Sequence, residues 1–556
     1  MKRNLFLSAL LFLSVTKGPA QLLTQNSVFT HADSLRGSIT KERIWWDALH
    51  YELTVKFDIP NKTISGSNMI TYKVLSPYQI MQIDLMEPLK IDSIIQDHQK
   101  LNYKKDGNAY FINLIQKQFI FEINQIAIYY HGVPQEAINP PWDGGVVWKQ
   151  DAENNPWVSV ACQGIGPSIW FPNKDHQYDE PDSATMHFTV DDKLEVVSNG
   201  RHIKDVNLGN GYITHTWKVS SPINNYNIIP YIGKYAHSHE SYKGLNGPLD
   251  VDLYFLSYDM QKAREHVLPD LLKTIEAFEY WWGPYPFYHD GFKMVEAPYL
   301  GMEHQSAIAY GNQFKNGYLG YDLSGTGEGL KWDYIVIHES GHEWFGNNIT
   351  TKDIADMWVQ EGITNYGEAL FTQYWFGKEA GDKYVQGIRS GIENKSPMIG
   401  MYNVNEEGPG DIYNKGANLM HTIRQVIDND SLFRQILIGL NSHFYHQVVR
   451  TEQIENYISE NSGKDFSKVF DQYLRTVQIP QLEYKITHEG KNAFLAYRWT
   501  NCVSGFDMPV KVMINGSYRF IYPTPEWNKV LIPKNYVIDA VNFIDPNFYV
   551  TSLKVE

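Results

Sequence analysis

The stretch Tyr334-Ile335-Val336-Ile337-His338-Glu339-Ser340-Gly341-His342-Glu343-Trp344-Phe345-Gly346 constrains this chain more than any other. It reads as an apolar-faced helix carrying H-E-x-x-H. His338 and His342 stand at i and i+4, so both imidazoles leave one face a turn apart. That spacing lets two neutral imidazoles bind a single zinc ion. Glu339 falls beside them, suited to take a proton from an attacking water rather than to bind the metal. A catalytic zinc needs a third protein ligand and an open position. Downstream, Asp356-Met357-Trp358-Val359-Gln360-Glu361-Gly362-Ile363-Thr364 reads as a second helical segment, and Glu361 is the expected third ligand. One Zn2+ per chain is expected. The bland alternative is a solvated helix with two surface histidines. Ile335, Val336, Ile337, Trp344 and Phe345 make the segment too apolar for that, and a buried His-Glu-His cluster without metal would leave polar groups unpaired. Glu368 follows Glu361 about two turns along the same face. It is either an acceptor that orients a zinc-binding histidine or a helix-surface acid, and the sequence leaves both open. Asp356 is a weaker candidate for the same role.

Around this centre the patterning changes twice. From about 43 to 235 the chain reads as strands and turns. Tyr51, Leu53, Val55 and Phe57 alternate with polar residues, Asn61-Lys62 turns the chain into a second alternating run from Ile64 to Val74, and Asn199-Gly200 and Asn210-Gly211 carry hairpin signals. Residues 260–282 then take helical spacing, stopping at Trp281-Trp282-Gly283-Pro284. Phe292 to Glu296 reads as a strand, and helices dominate from 328 to about 475, one of them from about Lys415 to Asp428. After Pro480 the pattern is strand-like again, with Asn515-Gly516 at a hairpin. The expected boundaries are 1–20 for a secretory leader, 21–235 for an N-terminal β domain, 236–480 for a mixed α/β catalytic domain and 481–556 for a small C-terminal β-sandwich.

The leader rests on Lys2 and Arg3, the apolar run Leu5 to Val15, and the small residues Gly18-Pro19-Ala20. The run is too short for a permanent anchor, so the chain is expected to be exported, periplasmic or extracellular, with no transmembrane anchor. A net charge of −15 argues against a nucleic-acid partner. Cys162 and Cys502 lie in segments assigned to different domains and are expected as two separate buried thiols. The sequence carries no signal for oligomeric state.

These residues resemble the gluzincins of the aminopeptidase N and leukotriene-hydrolase group. H-E-x-x-H and W-x-x-E-G match its zinc helices. Leu300-Gly301-Met302-Glu303-His304 is similar to its G-x-M-E-N exopeptidase motif, and Tyr413-Asn414-Lys415-Gly416-Ala417 to its Y-x-K-G-A segment. Ala161-Cys162-Gln163-Gly164-Ile165-Gly166, Trp170 to His176 and Gly283-Pro284-Tyr285-Pro286-Phe287 also fit, in family order over about 40 to 480. The resemblance implies a multidomain α+β fold: an N-terminal β saddle domain, a thermolysin-like α/β catalytic domain and a small C-terminal β-sandwich. It further implies a short form lacking the large C-terminal helical domain of many members, and so a less enclosed active site.

The resemblance also implies roles. Glu339 is the general base, and Tyr413 donates to the oxyanion. Glu303 pairs with the free α-amine of a peptide, Gln163 reaches the same substrate end from the N-terminal domain, and Gly301 and Met302 line the substrate strand and first pocket. The implied partners are peptides with a free N-terminus, and the implied activity is removal of the first residue. Two positions depart from the motif. Leu300 replaces a glycine and is expected to reshape the first pocket. His304 replaces an asparagine and is expected to add a group titrating near physiological pH. Two other readings stay open: an endopeptidase or another zinc hydrolase, such as an epoxide hydrolase, on the same fold, and a non-catalytic binding protein.

Overall fold

The computed structural model describes residues 29–533, 535–536 and 543–556; the leader read in residues 1–20 lies outside them. The N-terminal part is built on an eight-stranded sheet. Its centre is the hairpin β1 (Trp46–Asp58) and β2 (Thr63–Val74), and β1 pairs in parallel with β3 (Ser183–Asp191). The alternation read in β1 has a direct cause. Tyr51, Leu53, Val55 and Phe57 all point inward and are buried. Beyond β3 the sheet continues to the hairpin β4 (Arg201–Asn207) and β5 (Tyr212–Val219), with β4 at the edge. A four-stranded sheet of Glu195–Ser198, Pro230–Gly233, Pro156–Ala161 and Gly145–Gln150 accompanies it.

Asn210-Gly211 lies in the β4–β5 hairpin, as its turn chemistry predicts. Asn199-Gly200 does not form a hairpin. It carries the chain from the four-stranded sheet into β4, with Gly200 at φ +72°, and the Asn199 side chain donates to Gln305 O at 2.7 Å. The residues suit a left-handed turn, but long-range bonds decide where the turn leads.

A five-stranded sheet follows. Its order is β6 (Tyr235–Gly244), β7 (Gly247–Leu256), β8 (Phe292–Glu296), β10 (Ile308–Tyr310) and β9 (Gly301–Met302). The short strand β9 is the edge, pairing antiparallel with β10. The helices then gather beside this sheet: α1 (Leu268–Trp282), α2 (Tyr334–Gly341), α3 (Trp358–Phe376) and α4 (Asp411–Ile427). Helix α4 starts earlier than the spacing suggests, which brings Tyr413 into its first turn. Aromatic rings join α1 to the segment that follows α2. Phe278 stacks on Trp282 at 4.2 Å, and Trp282 meets Phe345 at 5.1 Å.

The described chain divides into two compact units between Ser467 and Lys468. The second has a four-stranded sheet, in the order Asn528–Ile532, Asn492–Thr500, Gln481–Glu489 and Thr551–Lys554, and a hairpin of Val510–Ile514 with Ser517–Ile521. Asn515 and Gly516 make that turn at φ +53° and +77°. Helix α5 (Ser467–Arg475) begins at the division. Its Tyr473 donates to Tyr549 O at 2.6 Å, and its Gln472 accepts from Val503 N at 2.7 Å. Residues 468–475 of this helix thus belong to the second unit. Cys162 and Cys502 are both buried and unbridged. Among the described residues, no helix is long and apolar enough to cross a membrane.

Candidate metal centre

Helix α2 is pinned at its start. Asp333 caps it, accepting from Ile335 N at 3.1 Å and Val336 N at 3.4 Å, and also takes hydrogen bonds from Tyr310 and Asn312 at 2.8 and 2.7 Å. At the other end Glu343 is buried and accepts from Ser306 N and the Tyr285 hydroxyl, each at 2.8 Å. His338 and His342 leave the face between these anchors, and α3 brings Glu361 to meet them from its first turn. The two glycines that follow in the motifs hold α3 against α4. A Cβ on Gly362 would lie 2.8 Å from Ile412 O, and one on Gly416 would lie 2.6 Å from Gly362 Cα. Only hydrogen on both sides permits this crossing, which fixes Glu361 and Tyr413 relative to each other. Gly416→Ala is therefore expected to destabilise by about 1–3 kcal/mol through overpacking. Thermal unfolding should show the loss, and an unchanged melting temperature would remove the packing argument.

The three ligand atoms lie within 4.8 Å of one another. His338 Nε2 and His342 Nε2 are 3.3 Å apart, and Glu361 Oε2 is 3.6 and 3.3 Å from them. Hydrogen bonding on the far side sets the tautomers. His338 Nδ1 faces Glu368 Oε1 at 2.8 Å, and His342 Nδ1 faces Phe345 O at 3.0 Å. Phe345 O and an ionised Glu368 can only accept, so both Nδ1 atoms carry protons. In neutral rings both Nε2 lone pairs then point at each other and at a carboxylate oxygen. Glu361 Oε2 is buried without a hydrogen-bond donor. Three buried acceptors converging on one point need either added ring protons or a cation, and two imidazoles with one carboxylate suit zinc. Glu368, the acceptor beside His338 Nδ1, is itself held by the Tyr384 hydroxyl at 2.6 Å. Asp356 lies elsewhere, accepting from Tyr402 and Thr451, each at 2.6 Å.

A cavity of about 390 Å³ opens over this point, with Gln163, Leu300, Gly301, Met302, Glu303, Glu339 and Tyr413 on its walls. Strand β9 comes so close that a Cβ on Gly301 would lie 2.7 Å from Glu339 Oε1. Burial pushes the Glu339 carboxyl up to about 7, against the pull of His338. Glu303 reaches within 4.8 Å of Glu339 and His342, ligand atom to ligand atom. Its carboxyl is raised by burial, and its Oε1 accepts from Gln163 Nε2 and, at 2.9 Å, from the Tyr226 hydroxyl. Asn347 Nδ2 holds the Glu303 carbonyl at 2.8 Å. The Tyr413 ring lies 6.0 Å from that of His338, and burial raises its hydroxyl well above the usual range. Leu300 takes its place on the wall beside Gly301 and Met302. Tyr226, Asn347 and Glu343 went unseen in the sequence. So did Glu407, a further acid on the cavity wall. None of them stands in a spacing pattern that marks it.

His304 corrects an expectation. It is fully buried, its Nδ1 lies 2.8 Å from the Tyr231 hydroxyl, and burial pushes its pKa down to about 3. It does not titrate near neutrality. The unfolded value is about 6.5, so the unfolded chain takes this proton first. The stability His304 confers is whole above pH 6.5 and is lost as pH falls towards 3. His304→Asn is expected to reduce the stability lost between pH 7 and pH 5 by about 1–2 kcal/mol. Urea unfolding at the two pH values checks this, and an identical loss in both proteins would refute it.

Residues 270–473 match the model described as the Peptidase family M1 domain. The chain is 22% identical over 477 residues to aminopeptidase N of Lactococcus lactis subsp. lactis, spanning 79% of this chain and 52% of that protein. It is 21% identical over 487 residues to aminopeptidase 2 of Candida albicans, spanning 81% and 50%. The chain thus spans about half the length of the curated relatives it matches. Among solved structures, an M1 zinc metallopeptidase from Deinococcus radiodurans aligns with a TM-score of 0.65 at 17% identity, covering 78% of this chain and 95% of that one. A form of the D. radiodurans enzyme described as bound to a Tyr-Ser-Ala substrate aligns at 0.64 and 18%, covering 78% and 96%. At these identities the structural likeness establishes the fold.

Proposed function

For a chain of the aminopeptidase N-like gluzincins, with a peptidase family M1 domain over residues 270–473, we propose zinc-dependent removal of the N-terminal residue from peptides. One observation carries the reading: a buried carboxylate, Glu303, lies within 4.8 Å of both the Glu339 carboxylate and a ring nitrogen of His342. A peptide α-amine is largely protonated near neutral pH. Paired with Glu303, it stops the chain from advancing and presents the first peptide bond to Glu339. Gln163 and Tyr226 hold Glu303 in place for that pairing.

His338, His342 and Glu361 would hold the zinc, which supplies Lewis-acid polarisation and a lowered water pKa. Glu339, at about 7, suits both halves of a proton relay. It takes a proton from the attacking water and returns it to the leaving amine. Tyr413 keeps its proton because burial opposes ionisation, so its O–H can donate to the developing oxyanion. The wall formed by Leu300, Gly301 and Met302 bounds the space for the first side chain.

The test is a paired assay. One set of short peptides has free N-termini with varied first residues, and a matched set is N-acetylated. Chelator-sensitive release of single residues from the free set alone is expected. Internal cleavage of the acetylated set would favour an endopeptidase, and no cleavage of either set by zinc-loaded protein would favour a binding protein.

A further inference from the structure

The edge hairpin β4–β5 carries a second cluster. Asp205 and His215 are direct cross-strand partners, while His202 pairs opposite Trp217. In a regular strand, residues three apart face opposite sides. Here the register shifts between His202 and Lys204, and this bulge turns His202 onto the side of Asp205. Both rings then reach one oxygen: His202 Nε2 is 2.8 Å and His215 Nδ1 is 2.7 Å from Asp205 Oδ1. The three ligand atoms lie within 4.8 Å of one another.

The far nitrogen of His215 decides what this cluster needs. His215 Nε2 lies 3.2 Å from Leu194 O. A carbonyl only accepts, so that nitrogen carries the ring proton. A neutral His215 therefore turns an Nδ1 lone pair on a carboxylate oxygen. Two acceptors in contact require either a second ring proton or a cation between them. His215 is buried, while His202 and Asp205 keep side-chain exposures of 39% and 41%, so an ion has a way in. The cluster opens on a cavity of about 210 Å³ that Glu195 and His237 also line. Neither belongs to the cluster, and His237 is turned to Asp252 Oδ1 at 2.8 Å.

We propose that His202, Asp205 and His215 form a second divalent-cation site, separate from the His338–His342–Glu361 centre. Two imidazoles and one carboxylate favour a zinc-class ion over magnesium or calcium. The ligands come from both strands of the hairpin, so a bound ion clamps β4 to β5 at the open edge of the sheet. The role is structural, and it does not depend on the peptidase reading.

The test is metal stoichiometry on the full chain. Protein dialysed against buffered Zn2+, then against metal-free buffer, is assayed by plasma mass spectrometry. The unaltered protein is expected to hold two equivalents, and His202→Gln and Asp205→Asn one each. Circular dichroism shows that the variants fold, and peptide hydrolysis should change less than about twofold. One equivalent in the unaltered protein that both variants keep would leave the cluster without an ion and overturn the site. Two equivalents kept by both folded variants would move the second ion elsewhere and overturn it equally.

Discussion

Glu339→Gln is expected to lower kcat by about 10²–10⁴-fold, the range for a positioned general acid–base group, while zinc content stays unchanged. The two outcomes separate because Glu339 does not belong to the ligand triad of His338, His342 and Glu361. Glutamine matches the volume of the side chain it replaces. It fits the slot between α2 and β9, where a Cβ on Gly301 would come 2.7 Å from Glu339 Oε1. What it lacks is a site that accepts and releases a proton. Metal analysis together with steady-state kinetics reads both quantities. Near-normal turnover with full zinc would mean that Glu339 moves no proton. Loss of zinc along with activity would mean that it supports the metal triad.

That His338 and His342 share a buried face was legible because that information is local. Two histidines a helical turn apart share a face whatever the rest of the chain does, and the apolar flanks of α2 state that the face is buried. The alternation Tyr51, Leu53, Val55 and Phe57 is legible for the same reason. What the sequence concealed are contacts between distant segments. Tyr226 holds Glu303, and Glu343 ties α2 to Ser306. No period in the chain connects those pairs. Gly362 and Gly416 were visible as motif letters, but their reason is the close crossing of α3 and α4. His304 shows the limit most clearly. Its ordinary pKa was read from residue type, whereas complete burial decides its real behaviour. The bulge beside His202 is a further case, since a register shift cannot be read from alternation alone.

The second large effect concerns how a substrate end is recognised. Glu303→Ala is expected to lower kcat/KM for peptides with free N-termini by a factor of about 10² to a few 10³. That range corresponds to about 3–5 kcal/mol for removing one partner of a buried charge pair. The cost is large because the site has already met the expense of desolvating this carboxylate. Gln163 and Tyr226 both donate to its Oε1, and Asn347 anchors its backbone. Without Glu303, these donors and an incoming ammonium are left facing no anion. Acetylated peptides are not expected to be cleaved, so the control is the fold and zinc content of the Glu303→Ala protein itself. Circular dichroism and metal analysis unchanged beside a lower kcat/KM assign the loss to the amine contact. A kcat/KM on free peptides unchanged from the parent protein would mean that Glu303 does not read the free terminus. The buried acid would then serve only to join Gln163 and Tyr226 to strand β9, and the exopeptidase reading would lose its main support.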